Sequence, residues 1–192
     1  MDLSSPGRWI QLCWIAFVLY WFVSAFNRKV TKKRETLSQR LRYTLPLVVA
    51  AYLLFPSGPR YGWLGLRFVS GGPASQWLGL AITVAGTALA IWARWHLGSN
   101  WSGVVTLKEG HELIRSGPYR AIRHPIYTGI LLALLGTSIA VGEARGLIAV
   151  AIVLLSFYLK ARREESFLSQ EFGPGFTEHQ RHTGMFLPKF SS

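Results

Sequence analysis

The charges of this chain are gathered into blocks, and the stretches between the blocks are long, apolar and uncharged. Trp9–Phe26 runs for 18 residues without a charge, Tyr43–Pro59 for 17, Phe68–Ala93 for 26, Pro125–Gly142 for 18 and Gly146–Leu159 for 14. A soluble domain would spread the same apolar content at helix or strand period, with charges between. A helix rises about 1.5 Å per residue, so crossing about 30 Å of hydrocarbon takes roughly 20 residues. The third run crosses on its own length, and the first and fourth with help from their flanks. The second carries Pro46 and stops at Pro56. The fifth is short and crosses if Lys160, Arg162 and Arg163 snorkel outward from its end. The expectation is an all-α integral membrane protein with about five transmembrane helices.

The basic residues test that count. With five spans, 17 of the 21 Lys and Arg residues fall on one side: the loop after the first span, the segment after the third, and the tail. The other side receives only Arg8, Arg60, Arg67 and Arg145. Cytoplasmic loops carry the Lys/Arg excess, which puts the N-terminus out and the C-terminus in. The net charge of +12 therefore reads as membrane flanks facing anionic lipid, and no nucleic-acid partner is expected. The first basic block follows the first apolar run instead of preceding it, as in a retained anchor. Cys13 is the single cysteine, so one chain can form neither a disulfide nor a cysteine-based zinc site.

By character the chain divides near residue 93. Residues 1–93 read as three membrane helices with a basic cytoplasmic loop. Residues 94–192 read as a polar segment, a helical hairpin turning near Gly142–Gly146, and a polar tail. Gly129, Ala133 and Thr137 share one helix face, as do Gly79 and Thr83 and then Gly86 and Ala90. Small residues at that spacing let helix backbones approach closely in lipid.

Ionisable residues at membrane depth are expensive, and two clusters stand out. One is Gly117-Pro118-Tyr119-Arg120-Ala121-Ile122-Arg123-His124-Pro125-Ile126-Tyr127-Thr128-Gly129; the other is Lys160-Ala161-Arg162-Arg163-Glu164-Glu165. An antiparallel hairpin brings both to one membrane face. Each residue has a plain reading alone: snorkelling arginines, interfacial tyrosines, Pro125 in a first helical turn, and glutamates paired with Arg162 or Arg163. No dinucleotide-binding glycine pattern or P-loop is present, and His111-Glu112 lacks the second histidine of a zinc-protease motif, so no metal site is expected.

The stretch from His111 to Gly129, followed by Glu164-Glu165-x-x-Leu168-x-x-x-Phe172-Gly173, resembles the isoprenylcysteine carboxyl methyltransferase family and its phospholipid methyltransferase relatives. The resemblance covers about residues 94–190. It implies a membrane methyltransferase with a cytoplasmic S-adenosyl-L-methionine pocket built on the last hairpin and tail, in a cell membrane such as the bacterial inner membrane. Carried over, the cofactor contacts are Thr106, His111, Glu112, Leu113, Ile114, Tyr119, His124, Pro125, Ile126, Tyr127 and Glu164. Thr106 stands where the family often has Gln. Lys160 stands where the family has a substrate-positioning Arg, and Arg162 or Arg163 is an alternative for that role. Phe176 and His179 replace the usual tyrosines after Phe-Gly.

The chemistry suits these residue types. Glu164 can accept from ribose hydroxyls, and Arg123 or His124 can hold the cofactor's carboxylate. The expected acceptor is lipophilic, a small molecule or prenylated substrate, with a carboxylate that needs no general base. Phospholipid N-methylation on the same scaffold would need a base such as Glu165 or His124. A sterol-reductase-like oxidoreductase using NADPH and a non-enzymatic membrane subunit are the remaining alternatives.

Overall fold

A computed structural model describes residues 5–24, 37–54, 58, 60–98 and 113–189; the expected contacts Thr106, His111 and Glu112 lie outside them. Five apolar helices follow in chain order: α1 (Pro6–Ser24), α2 (Leu37–Leu54), α3 (Pro73–Leu97), α4 (Pro125–Val141) and α5 (Ala144–Phe172). A short polar helix, α6 (Pro174–His182), closes the series. The described residues form no strand, only two isolated bridges. Helices α1, α3 and α5 are each long and apolar enough to cross a membrane, while Leu41–Leu54 of α2 and the whole of α4 are shorter apolar helices. This is the all-helical membrane fold expected from the charge-free runs.

Helices α3 and α4 form the tightest pair, and the small-residue stripes explain why. A Cβ on Gly136 would sit 2.5 Å from the Gly79 carbonyl oxygen, and one on Gly129 would sit 2.6 Å from the Ala90 amide nitrogen. Only glycine allows that backbone approach. The small residues of the two helices interlock along their length, with Ala90 and Ala133 fully buried. Polar side chains stay satisfied inside the pair: Thr83 donates to the Gly79 carbonyl at 2.8 Å and Thr137 to the Ala133 carbonyl at 2.8 Å. Trp14 then donates its indole N–H to the Thr137 hydroxyl at 3.0 Å, tying α1 to the pair.

Two elements differ from the sequence expectation. Helix α2 begins at Leu37 and runs through Pro46, so Arg40 and Arg42 belong to a helix. Proline removes one backbone donor, and the packed helix tolerates the loss. Helix α5 does not stop where its apolar run stops. It spans 29 residues in all, from Ala144 to Phe172, about 43 Å. Lys, Ala, Arg and Glu are all good helix formers, so nothing in Lys160–Glu165 ends it. The hairpin turn is also tighter than expected. Gly142 takes the left-handed conformation at φ 71°, its N–H bonds the Ser138 carbonyl at 2.8 Å, and Glu143 leads directly into α5.

After α6 the chain folds back on the start of α4. The Arg123 N–H donates to the Gly184 carbonyl at 2.9 Å, the His124 N–H to the Met185 carbonyl at 3.1 Å, and the Gly184 N–H to the Ala121 carbonyl at 3.2 Å. Thr128 adds a hydroxyl bond to the Phe186 carbonyl at 2.8 Å. The tail is thereby held against both expected clusters.

Candidate active site at the polar end of the helical hairpin

The two sequence clusters meet because α4 begins where the charged part of α5 passes it. His124 is the N-cap of α4 and is buried. Its Nε2 lies 3.1 Å from Glu165 Oε1 and its Nδ1 lies 3.5 Å from Glu164 Oε2. One imidazole thus bridges the pair of carboxylates. Burial alone would lower the His124 pKa, but the bonds and charges of Glu164 and Glu165 outweigh it and hold the value above the usual histidine range.

The two glutamates have different surroundings. Glu165 is almost fully buried and accepts from Arg123 Nε at 2.7 Å, from His124, and from Gln180 of α6 at 3.1 Å. Arg123 also donates to the Thr183 carbonyl. Glu165 is therefore the knot that ties α4, α5 and the tail together. Glu164 is more open, with a side chain 21% exposed. It accepts from the Tyr127 hydroxyl at 2.7 Å and lies 3.9 Å from Lys160 Nζ, one helical turn earlier. Glu165 pairs with Arg123 and Glu164 lies beside Lys160, in place of the partners Arg162 or Arg163 that the sequence offered.

Aromatic faces surround Glu164. The His124 and Tyr127 rings stack at 5.4 Å, Tyr127 stacks on Phe157 at 4.5 Å, and Lys160 Nζ stands 5.4 Å from the Tyr127 centroid. Tyr119 sits in a 3-10 turn, Gly117–Arg120, and its hydroxyl reaches the Ala93 carbonyl at 3.4 Å. Burial holds its pKa above the ordinary tyrosine range. In α6, burial together with Arg115 and Arg123 keeps the His179 pKa below its usual value.

A cavity of about 1360 Å³ begins at this cluster and runs between the helices. Of the expected contacts, Leu113, Ile114, Tyr119, His124, Ile126, Tyr127, Lys160 and Glu164 line it. Pro125 is fully buried at the first position of α4, where it sets the helix start behind them. Arg163 is not among the lining residues. It donates instead to the Tyr43 hydroxyl at 3.0 Å, because α5 turns that face toward α2. Gln180 and Thr183 escaped sequence reasoning, since a tail that folds back by backbone bonds leaves no periodic pattern.

The donor set suits S-adenosylmethionine: a carboxylate and aromatic faces around a partly enclosed space. Among the described residues no group of three His, Cys, Asp or Glu side chains could hold a metal ion.

The phospholipid methyltransferase family model matches residues 74–175, just over half of the chain, from α3 to the start of α6, and includes both the Arg123–His124 and the Lys160–Glu165 clusters. The chain belongs to this family. A probable protein-S-isoprenylcysteine O-methyltransferase of Oryza sativa subsp. indica is 33% identical over 94 residues, 47% of this chain and 49% of that protein. The cobalt-zinc-cadmium resistance protein CzcN of Cupriavidus metallidurans is 33% identical over 100 residues, 50% of this chain and 44% of that one. The solved structure of a eukaryotic intramembrane Ras methyltransferase, an isoprenylcysteine carboxyl methyltransferase, is 27% identical with a TM-score of 0.55. That match covers 77% of this chain and 52% of the other. The chain spans about half the length of the relatives it matches. The family resemblance read from the paired motifs is borne out, in sequence and in fold.

Proposed function

We propose that the chain is an S-adenosylmethionine-dependent membrane methyltransferase acting on the carboxylate of a lipophilic, isoprenylcysteine-like acceptor. The observation that carries this reading is a carboxylate, stacked aromatic rings and a lysine meeting at one end of a cavity that runs between apolar helices. S-adenosylmethionine supplies an activated methyl group on a sulfonium cation. Glu164 offers its carboxylate to the ribose hydroxyls. Tyr119 and Tyr127 present faces to cationic groups, each worth about 0.5–2 kcal/mol. Leu113, Ile114 and Ile126 supply apolar lining, and His124 with Pro125 fixes the start of α4 beneath them. Thr106, His111 and Glu112 are proposed as further cofactor contacts on the family resemblance alone.

Lys160 holds the acceptor's carboxylate, and the apolar walls take its lipid chain and exclude water. A carboxylate is already ionised at neutral pH, so the remaining task is alignment. An amine acceptor would have to lose a proton to a base. The two candidate bases are engaged: His124 bridges both glutamates, and Glu165 is bound by Arg123 and Gln180. This favours the carboxylate over phospholipid N-methylation. With labelled S-adenosylmethionine, the purified protein should methylate a prenylcysteine analogue and form a base-labile ester. Label appearing in phosphatidylethanolamine instead would overturn the acceptor class.

We place the site on the cytoplasmic side, with the N-terminus out, on the 17-to-4 division of basic residues. In a Cys13→Ser background, Arg67→Cys and Arg181→Cys should react with an impermeant maleimide from opposite faces of the membrane. Labelling of both from one face would remove this topology.

A further inference from the structure

The reactive cluster occupies one end of the cavity. At the other end, three arginines and a glutamate converge on the α4–α5 turn. Arg145 and Lys160 lie fifteen residues apart on α5, so the two ends are separated by about 22 Å along the helix. The turn is a fixed platform: the Phe68 N–H bonds the Gly142 carbonyl at 3.0 Å, and the Ala144 N–H bonds the Leu66 carbonyl at 2.8 Å. Arg145 is buried at 1% exposure. It donates through Nε to Glu143 at 2.5 Å and through Nη1 to the Leu53 carbonyl. Arg60 donates to Glu143 at 3.2 Å with a side chain 58% exposed. Arg67 is exposed, with Nη2 3.5 Å from the Val141 carbonyl. All four side chains line the cavity.

One carboxylate set against three guanidinium groups leaves a charge of +2 at this mouth. The segments on this side contain only four basic residues in total, and three of them are here. Snorkelling alone would spread them around the bundle. The Arg145 guanidinium is buried in a low-dielectric place, where attraction to an anion is poorly screened. Guanidinium groups match phosphate and carboxylate oxygens in planar, paired geometry. The walls leading away from the cluster are apolar, with Leu47, Ala50 and Leu54 on α2.

We propose that this end is a second ligand site, taking the anionic phosphodiester headgroup of a membrane lipid whose acyl chain lies in the cavity. A free phosphate would match the arginines but would leave the apolar wall uncovered, so a lipid is the better occupant. The proposal does not depend on methyl transfer.

The test is native mass spectrometry of the full chain released from nanodiscs containing phosphatidylcholine and phosphatidylglycerol. The wild type should retain phosphatidylglycerol in preference. Arg60→Gln combined with Arg67→Gln should reduce that preference about tenfold, the scale of one charge-assisted bond. Arg60 and Arg67 are exposed, and Glu143 keeps Arg145 as its partner at 2.5 Å when Arg60 is replaced, so the variant should fold; each single variant reads the same effect in a smaller step. A double variant of equal charge at the opposite end, Arg181→Gln with Lys189→Gln, should keep the preference. Equal retention in the two double variants would overturn the site, and displacement of the lipid by inorganic phosphate would overturn its lipid identity.

Discussion

Glu164→Ala is expected to abolish S-adenosylmethionine binding while the protein still folds in detergent. Glu164 borders the cavity, and its carboxylate is the more open of the pair. Charged hydrogen bonds each contribute about 1.5–3 kcal/mol, so losing two acceptors to a ribose diol weakens binding by a hundredfold or more on that scale. The fold tolerates the change because His124 keeps Glu165 as a partner and the Tyr127 ring keeps its stacking on Phe157. Glu164→Gln keeps one acceptor and loses the charge, and its affinity should fall between the two. His124→Ala should lose binding as well, since it removes the ring that braces both carboxylates. Calorimetric titration of the purified proteins measures all three. Wild-type affinity in Glu164→Ala and His124→Ala would sink the cofactor assignment, and with it the proposed methyl transfer.

Much of the membrane architecture was legible in the sequence because lipid imposes strong rules on it. The five apolar runs became five apolar helices, and the small residues at Gly79, Gly86, Gly129 and Ala133 became the α3–α4 contact. Hydropathy reports the thickness of an apolar layer, however, and not the length of a helix. That is why α5 continues past Leu159 to Phe172 with no sign in its apolar run. The meeting of Arg123, His124, Lys160 and the two glutamates followed from the hairpin, which any antiparallel pair would produce. Which cation faces the cavity did not follow. Lys160 and Arg163 are three residues apart, but packing of α2 against α5 takes Arg163 to Tyr43 and leaves Lys160 beside Tyr127. The role of Glu165 was hidden for a similar reason, because its partner Gln180 arrives only when α6 folds back.

Glu165→Ala should have the opposite signature to Glu164→Ala: a large loss of stability. Its carboxylate takes Arg123 Nε at 2.7 Å, His124 Nε2 at 3.1 Å and Gln180 Nε2 at 3.1 Å, at 5% exposure. Removing one partner of a buried ion pair typically costs about 3–5 kcal/mol, because the remaining charge stays buried without its counter-ion. Arg123 keeps the Thr183 carbonyl and His124 keeps Glu164, which places the expected loss toward the lower end of that range. The loss should be directional. Gln180 is released from α5, so α6 loses that side-chain anchor, and the return at Gly184 and Met185 is left to its backbone bonds and to the bonds from Arg123 and Thr128 to the Thr183 and Phe186 carbonyls. Thermal unfolding in detergent should show a clearly lowered midpoint, and limited proteolysis should cut first between residues 173 and 189. Glu165→Gln retains an acceptor for Arg123 and should lie between wild type and alanine. If Glu165→Ala unfolds like wild type, the carboxylate is not the knot of the tail, and the division of labour between the two glutamates fails. If it unfolds early but the tail stays protected, the backbone bonds at Gly184 and Met185 suffice to hold the tail, and Glu165 acts on the hairpin alone.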